Sequence, residues 1–335
     1  MKDAAAQVLV CAVEGQTLST AERQFFSRVP ISGITVFGRN IDQADQGKVS
    51  NLILECQRLR PSGSPALVVA IDQEGGRVAR LKPPFPNQGP AMLLAGGLKD
   101  KSALLSIEAY GFELGAALKA LGININFAPV LDILTEPTNH AIGDRSFGTT
   151  VDTVTLRAGA FLDGLQASGI KGCLKHFPGQ GAAKVDTHVG SAVVDVSASV
   201  FTDRELSPFR TLLKAAPMIM IAHCIYPAFS PKEASRSPEI MQELLRDNLG
   251  YQGVIVSDDM TMGAIPQDEQ TWRDAIIESI QSGADMLLIC RHLERFRLAY
   301  ETLTHAARRS STFAERLEAA ARRVLVLRQS LLTGS

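Results

Sequence analysis

Four short apolar runs of this sequence end on a group that can bind or move a proton: Asp72 closes ALVVAID, His176 closes GCLKH, His223 closes MIMIAH and Asp258 closes VIVSD. A denser cluster surrounds His176 in KHFPGQGAAKVDTH (175–188), where Lys175, Asp186 and His188 lie among glycines and Pro178. Glycine and proline permit sharp backbone turns, so this segment reads as the loop after the fifth run. Within it, Asp186 and His188 are two residues apart. A carboxylate on one imidazole nitrogen fixes the ring and favours its protonated form, leaving the other nitrogen to exchange a proton with substrate. That describes a general acid/base on a loop; the plain alternative is an Asx-turn beside an exposed histidine. Any single polar group at the end of a run is more often a satisfied core residue or a helix cap than a catalyst. The recurrence is what argues for a shared site.

The elements that must position these groups follow one rhythm. Runs rich in Val and Ile recur at 7–13, 32–37, 66–71, 123–128, 171–176, 217–222, 253–257 and 285–289, each followed by turn residues and a longer segment of helical period. Near-continuous apolar strands are buried on both faces, and strands that alternate with helices need parallel crossovers. Eight such units predict a (β/α)8 TIM barrel in a single domain spanning 1–335, with all four run ends converging on one mouth. A doubly wound open sheet is the alternative, because periodicity does not show whether a sheet closes. Helix ends are readable as well: Ser19 with Glu22 makes a capping box, and Ser237 and Pro238 open a helix that Gly250 closes. Val154, Ala158, Phe161, Leu162 and Leu165 define one buried helical face, and Phe313, Leu317, Val324 and Leu331 define another near the end of the chain.

Thirty-four Lys and Arg against 35 Asp and Glu leave a net charge of −1, without the global field that attracts nucleic acid or anionic lipid. A polar, weakly charged small molecule is the expected partner. The five cysteines are dispersed and form no C-x-x-C pair, so they are expected to be small buried hydrophobes in a reducing compartment rather than disulfides or a zinc ribbon. The segment MKDAAAQVLVCAVEGQ carries Asp3 and Glu14 around a brief apolar run and does not read as a secretion signal. No run approaches the roughly 20 apolar residues that span a bilayer. A cytoplasmic location is expected, and the sequence leaves the oligomeric state open.

The segment KHFPGQGAAKVDTH, together with AIDQEGGRVARL (70–81), NINFAPVLDI (124–133), IGDRSFG (142–148) and GVIVSDDM (253–260), closely resembles glycoside hydrolase family 3, specifically its single-domain bacterial β-N-acetylglucosaminidases of cell-wall recycling. The matches keep the family's order from about residue 30 to 265. The resemblance implies a (β/α)8 barrel and a retaining hydrolase acting on peptidoglycan-derived muropeptides; no cofactor is expected, and no metal, because the histidines lack a full ligand set at metal-site positions. Asp258 then takes the role of nucleophile, His188 that of acid/base and Asp186 that of its partner. Asp72, Arg80, Arg145, Lys175 and His176 match positions that hold sugar hydroxyls or order the site. Asp259 should point away from the mouth. One departure is plain: Gln180 stands in PGQG where the family usually has His, and glutamine exchanges hydrogen bonds without carrying charge.

Other chemistries fit the same residues. A metal-dependent barrel hydrolase would use His176, His188, His223 and Asp258 as ligands, although such barrels usually carry H-x-H at the first strand, where this chain has CAVEG. Lys175 as a Schiff-base lysine would make a lyase. Phosphate could replace water as the second nucleophile, because a neutral imidazole repels an anion less than a carboxylate does. A non-catalytic sugar-binding module would not need Asp258 or the D-x-H pair. The GQGAAK stretch lacks the G-K-[ST] ending of a phosphate loop, and Trp272 reads as packing.

Overall fold

The computed structural model describes residues 4–94, 101–184, 190 and 192–331. Each of the eight apolar runs contains a strand: β1 (Leu9–Cys11), β2 (Gly33–Val36), β3 (Val68–Ile71), β4 (Ile125–Asn126), β5 (Lys171–Phe177), β6 (Met218–Ile221), β7 (Val254–Asp259) and β8 (Met286–Ile289). Neighbours in sequence pair in parallel, and β8 returns to β1 through Leu9↔Leu287, Val10↔Leu288 and Cys11↔Ile289. The sheet is a closed barrel and not an open one.

A helix follows each strand: α1 (Thr20–Phe26), α2 (Lys48–Arg58), α3 (Lys101–Ala120), α4 (Val151–Ala167), α5 (Ser207–Leu212), α6 (Glu239–Asn248), α7 (Glu269–Ser282) and α8 (Leu293–Arg309), with α9 (Ser311–Ser330) completing the described chain. No helix among the described residues is long and apolar enough to cross a membrane. The Ser19–Glu22 capping box forms in both directions at α1. At α6 the Ser237 hydroxyl accepts from Ile240 N–H, and Gly250 beyond its end takes φ 69°. The five apolar positions of α4 are all at most 1% exposed.

Alternation along the strands divides the core in two. Val10, Val68, Ala70, Cys173, Met218, Met220, Val254, Val256, Met286 and Leu288 fill the barrel, whereas Leu9, Ile34, Val69, Ile71, Leu174, Ile219, Ile255 and Leu287 face the helices. All five cysteines are buried and free. Val324 and Leu327 of α9 join the inner cluster, and Arg328 donates to the carbonyls of Pro65 and Ala66 just before β3, so α9 closes the amino-terminal end of the barrel.

Two strands break the alternation at their carboxyl ends. Three steps of β5, from Leu174 to Phe177, lie against two of β6, from Ile219 to Ile221. Likewise Val256 to Asp259 of β7 lie against Met286 to Leu288 of β8. An inserted residue of this kind re-aims neighbouring side chains. Here it falls on the Lys175–His176 and Asp258–Asp259 pairs.

At the opposite end Asp285, fully buried before β8, accepts from Arg246 of α6 and from Arg316 and Arg323 of α9, and also from Ile255 N–H at 3.0 Å. Removing the charge of a buried carboxylate strands its partners. Asp285→Asn should therefore lower unfolding free energy by about 3 to 5 kcal/mol in denaturant titration, while Glu318→Gln, on the outer side of α9 in a half-exposed i,i+4 pair with Arg322, should change it by less than about 0.5 kcal/mol.

Candidate active site

Asp72 lies immediately past β3, and a hairpin carries Arg80 back towards it. Gly75 and Gly76 take φ 108° and 53° in that hairpin, and a Cβ on Gly75 would stand 2.5 Å from the Gly89 carbonyl oxygen. Only glycine tolerates both demands. Buried Gln73 fixes the hairpin base: its Oε1 accepts from Arg80 N–H and Leu81 N–H at 2.8 and 3.0 Å. The Asn126 side chain of β4 exchanges two hydrogen bonds with the Gln73 backbone, at 3.0 and 2.8 Å. It thus extends the sheet ladder one step past β3.

The result is a chain of alternating charge. Arg80 donates to Asp72 Oδ2 at 3.0 Å, Lys175 reaches Asp72 Oδ1 at 2.8 Å and Glu74 Oε1 at 2.5 Å, and Arg145 grips Glu74 with Nε and a terminal nitrogen, both at 2.8 Å. Lys175 is 1% exposed and Glu74 4% at the side chain. Burial raises the Asp72 carboxyl, but Lys175 and Arg80 outweigh it and hold the group well below the usual range. Burial likewise opposes ionisation of Glu74, yet Arg145 and Lys175 bring it down to about 2. Burial depresses Lys175 and Asp72 with Glu74 more than reverse it, so the ammonium is held above its ordinary value. All five groups are charged at neutral pH, and their sum is +1. An amine whose charged form two carboxylates favour is a poor Schiff-base nucleophile.

His176 borders the same mouth from the irregular end of β5. Its Nδ1 lies 2.6 Å from Asp132 Oδ2, while Arg145 Nη2 stands 3.4 Å from Nε2. A guanidinium only donates, so Nε2 accepts and Nδ1–H points to Asp132. The other Asp132 oxygen accepts from the backbone N–H groups of His176 (3.3 Å) and Gln180 (2.8 Å). The turn that follows is tight enough that a Cβ on Gly181 would meet the Ile133 carbonyl oxygen at 1.7 Å. Asp186 and His188 lie outside the described residues.

On β7 the two adjacent aspartates have different fates. Asp258 accepts from Asp259 N–H at 2.8 Å, and no Lys, Arg or His pairs with it among the described residues. Asp259 is engaged on both oxygens by the Thr261 hydroxyl at 2.8 and 2.7 Å, and it accepts from Cys290 N–H of the next strand's end at 3.1 Å. Burial raises its carboxyl against those donors. It does not leave the mouth as expected: the register irregularity keeps it on the cavity wall, where it fastens β7 to β8.

His223 departs from expectation altogether. It is 1% exposed and borders neither cavity of the mouth; Nε2 lies 3.1 Å from the Asp259 carbonyl and Nδ1 2.6 Å from the Ser235 hydroxyl. A carbonyl only accepts, so Nε2 carries the proton and Nδ1 takes the hydroxyl's. Nε2 thus braces the backbone beside Asp258, as Trp272 does by donating to the Met260 carbonyl at 2.8 Å, and Nδ1 is taken up by Ser235.

The mouth holds two adjoining cavities of about 330 and 220 Å3. Asp72, Arg80, Met220 and Asp258 border both; Arg145, Lys175, His176 and Gln180 line the narrower, while Phe37, Arg39, Asp259 and Arg291 line the wider. Among the described residues, no three His, Cys, Asp or Glu side chains come together as a metal site would need. Sequence reasoning brought Asp72, Arg80, Arg145, Lys175, His176 and Asp258 to one place, and the structure does the same. It missed Glu74 and Asp132. Asp132 had a signal, a carboxylate inside the apolar run FAPVLDIL, since a buried charge needs partners.

Residues 2–327 match the family described as Glycosyl hydrolase family 3 N terminal domain. A Beta-hexosaminidase of Nitrosomonas eutropha is 37% identical over 286 residues, covering 84% of this chain and 80% of that protein. A family 3 beta-N-acetylglucosaminidase from Paenibacillus sp. str. FPU-7 superposes with TM-score 0.91 at 31% identity, over all of this chain but only 63% of that one, so the present chain spans less than two thirds of its length. NagZ from Neisseria gonorrhoeae, solved with N-trifluoroacetyl-D-glucosamine, gives TM-score 0.76 at 26% identity over 95% of this chain and 97% of its own.

The depressed carboxyls tie stability to acid. A group whose folded pKa lies below its unfolded one contributes stability above the unfolded value, about 4.3 for glutamate, and loses it as pH falls through the folded value. For Glu74 that window runs from about pH 4.3 down to about 2. Thermal melts of the wild type should fall steeply across it. Glu74→Gln, less stable at pH 7, should give a flatter profile; equal slopes would exclude Glu74 as a source.

Proposed function

The chain belongs to glycosyl hydrolase family 3 and is a glycoside hydrolase, and from that premise we propose that it removes β-linked N-acetylglucosamine from peptidoglycan-derived fragments in the cytoplasm, with net retention. The observation that carries the reading is the contrast between the two carboxylates shared by both cavities: Asp72 is locked between two cations, and Asp258 receives a single neutral donor. An unneutralised lone pair at the junction of two sugar-sized spaces is where an attacking oxygen belongs.

In the first step Asp258 Oδ bonds to the anomeric carbon as the bond to the glycosidic oxygen breaks, and the departing oxygen takes a proton from His188. In the second, neutral His188 takes a proton from water, whose oxygen displaces Asp258 from the anomeric carbon. Asp186 orients the imidazole and stabilises its charged form. Asp72, Arg80, Arg145, Lys175 and His176 hold sugar hydroxyls at one wall, rigidly, because the first four are locked in one charge ladder with Glu74, and Asp132 fixes the His176 ring. The metal-dependent alternative is disfavoured by ligand capacity: both ring nitrogens of His223 and Nδ1 of His176 are engaged. Phosphorolysis has one feature in its favour, the arginines Arg39, Arg80 and Arg291 around the wider cavity. The released product, free sugar or sugar 1-phosphate, separates the two.

A slow 2-fluoro or 5-fluoro glycosyl donor should leave a covalent adduct on Asp258, read by peptide mass mapping. An adduct on Asp259, or turnover without one, would overturn the assignment. His188→Ala should slow substrates with poor leaving groups about 10² to 10⁴-fold and activated aryl glycosides far less. Asp186→Ala should follow the same pattern, with the double variant losing little beyond His188→Ala. Additive losses, or equal slowing of good and poor leaving groups, would return the D-x-H pair to a loop turn.

A further inference from the structure

Gln180 is 6% exposed and borders the narrower cavity beside Arg145, Lys175 and His176. Its backbone is fully committed, with N–H donating to Asp132 Oδ1 at 2.8 Å and the carbonyl accepting from Asn139 Nδ2 at 2.8 Å. Its side chain is committed at one end only. Oε1 accepts from the buried Cys224 thiol at 3.3 Å, and Nε2 has no partner among the described residues. An amide carbonyl accepts and its amino group donates, so anchoring Oε1 against Cys224 leaves a pair of N–H donors as the face this side chain turns to the cavity. The neighbouring donors, Lys175 and Arg145, are cations already engaged by Asp72 and Glu74. Gln180 is the neutral donor of that wall, and its tie to Asn139 keeps the apolar Ala141, which borders the same cavity, close by.

A donor on a cavity wall that no protein group engages is available to an acceptor on a ligand. We propose that Gln180 is a specificity-determining residue whose Nε2–H donates to the carbonyl oxygen of the substrate's acetamido group, with the acetyl methyl on the Ala141 side. The inference rests on the N-acetylglucosamine reading above and adds the residue that would enforce it. A hydroxyl in place of the acetamido group offers no carbonyl and gains nothing from this contact. Glutamine also makes the recognition independent of pH, since neither end of the amide titrates.

The test compares kcat/KM on an aryl N-acetyl-β-glucosaminide with kcat/KM on the β-glucoside bearing the same leaving group, for wild type, Gln180→Met and Gln180→Glu. The ratio within one preparation does not depend on how much of the variant is folded. Methionine keeps the length and removes the donor, so the acetamido preference should fall roughly tenfold. Glutamate keeps an acceptor for Cys224 but opposes the carbonyl oxygen, so the preference should fall further. A preference unchanged in Gln180→Met overturns this inference and leaves the proposed sugar intact. A wild type with no acetamido preference overturns both.

Discussion

An ammonium that is 1% exposed sits at the centre of this molecule's working end. Lys175 could not be charged there alone, because moving an ion out of water costs several kcal/mol that only close partners return. Asp72 and Glu74 are those partners, and each needs a second cation, which Arg80 and Arg145 provide. The constraint propagates outward through the chain: it explains why the β3 hairpin must turn through two left-handed glycines and why buried Gln73 clamps its base. The loop after β4 must also bring Arg145 inward. Removing one member leaves a buried charge uncompensated, so the ladder behaves as one object spanning three βα units.

That object is stiff, because each member is held by its neighbours. Any ligand that enters the mouth meets oxygens and nitrogens whose positions are already fixed by one another, so little ordering remains for binding. Asp258 is held by different means. Its own carboxylate is lightly bonded, while Asp259, His223 and Trp272 secure the backbone on either side. The inserted residues in β5 and β7 let consecutive side chains of a strand share one side of the sheet, which a regular pleat forbids.

The barrel was legible because burial on both sheet faces writes itself as uninterrupted Val and Ile, and eight such runs with eight helical periods leave few architectures. Asp72, His176 and Asp258 were legible because they interrupt those runs where strands end, and Lys175 came through resemblance. Arg80 and Arg145 came through resemblance, since no periodicity distinguishes a site arginine from a surface one. Glu74 was hidden by standing two residues beyond Asp72 in a segment that looks like a turn. His223 misled for the opposite reason: it occupies a strand end like the others, and only the position of Ser235 and of the Asp259 carbonyl, both remote in sequence, turns it into a brace.

The pairing of β1 with β8 carries a consequence for the order of assembly. Leu9 finds its partner at Leu287, and Arg328 of α9 reaches back to Pro65, Ala66 and Gln7. Contacts between such distant parts of a chain demand large loop closures and form slowly. On a ribosome, β1 emerges long before β8 can pair with it, and its inward-facing Val10 has to wait in contact with water or a chaperone until β8 and α9 arrive. The mouth that gathers Asp72, Lys175 and Asp258 is therefore complete only once β8 has closed against β1 and brought Leu288 and Arg291 to its rim.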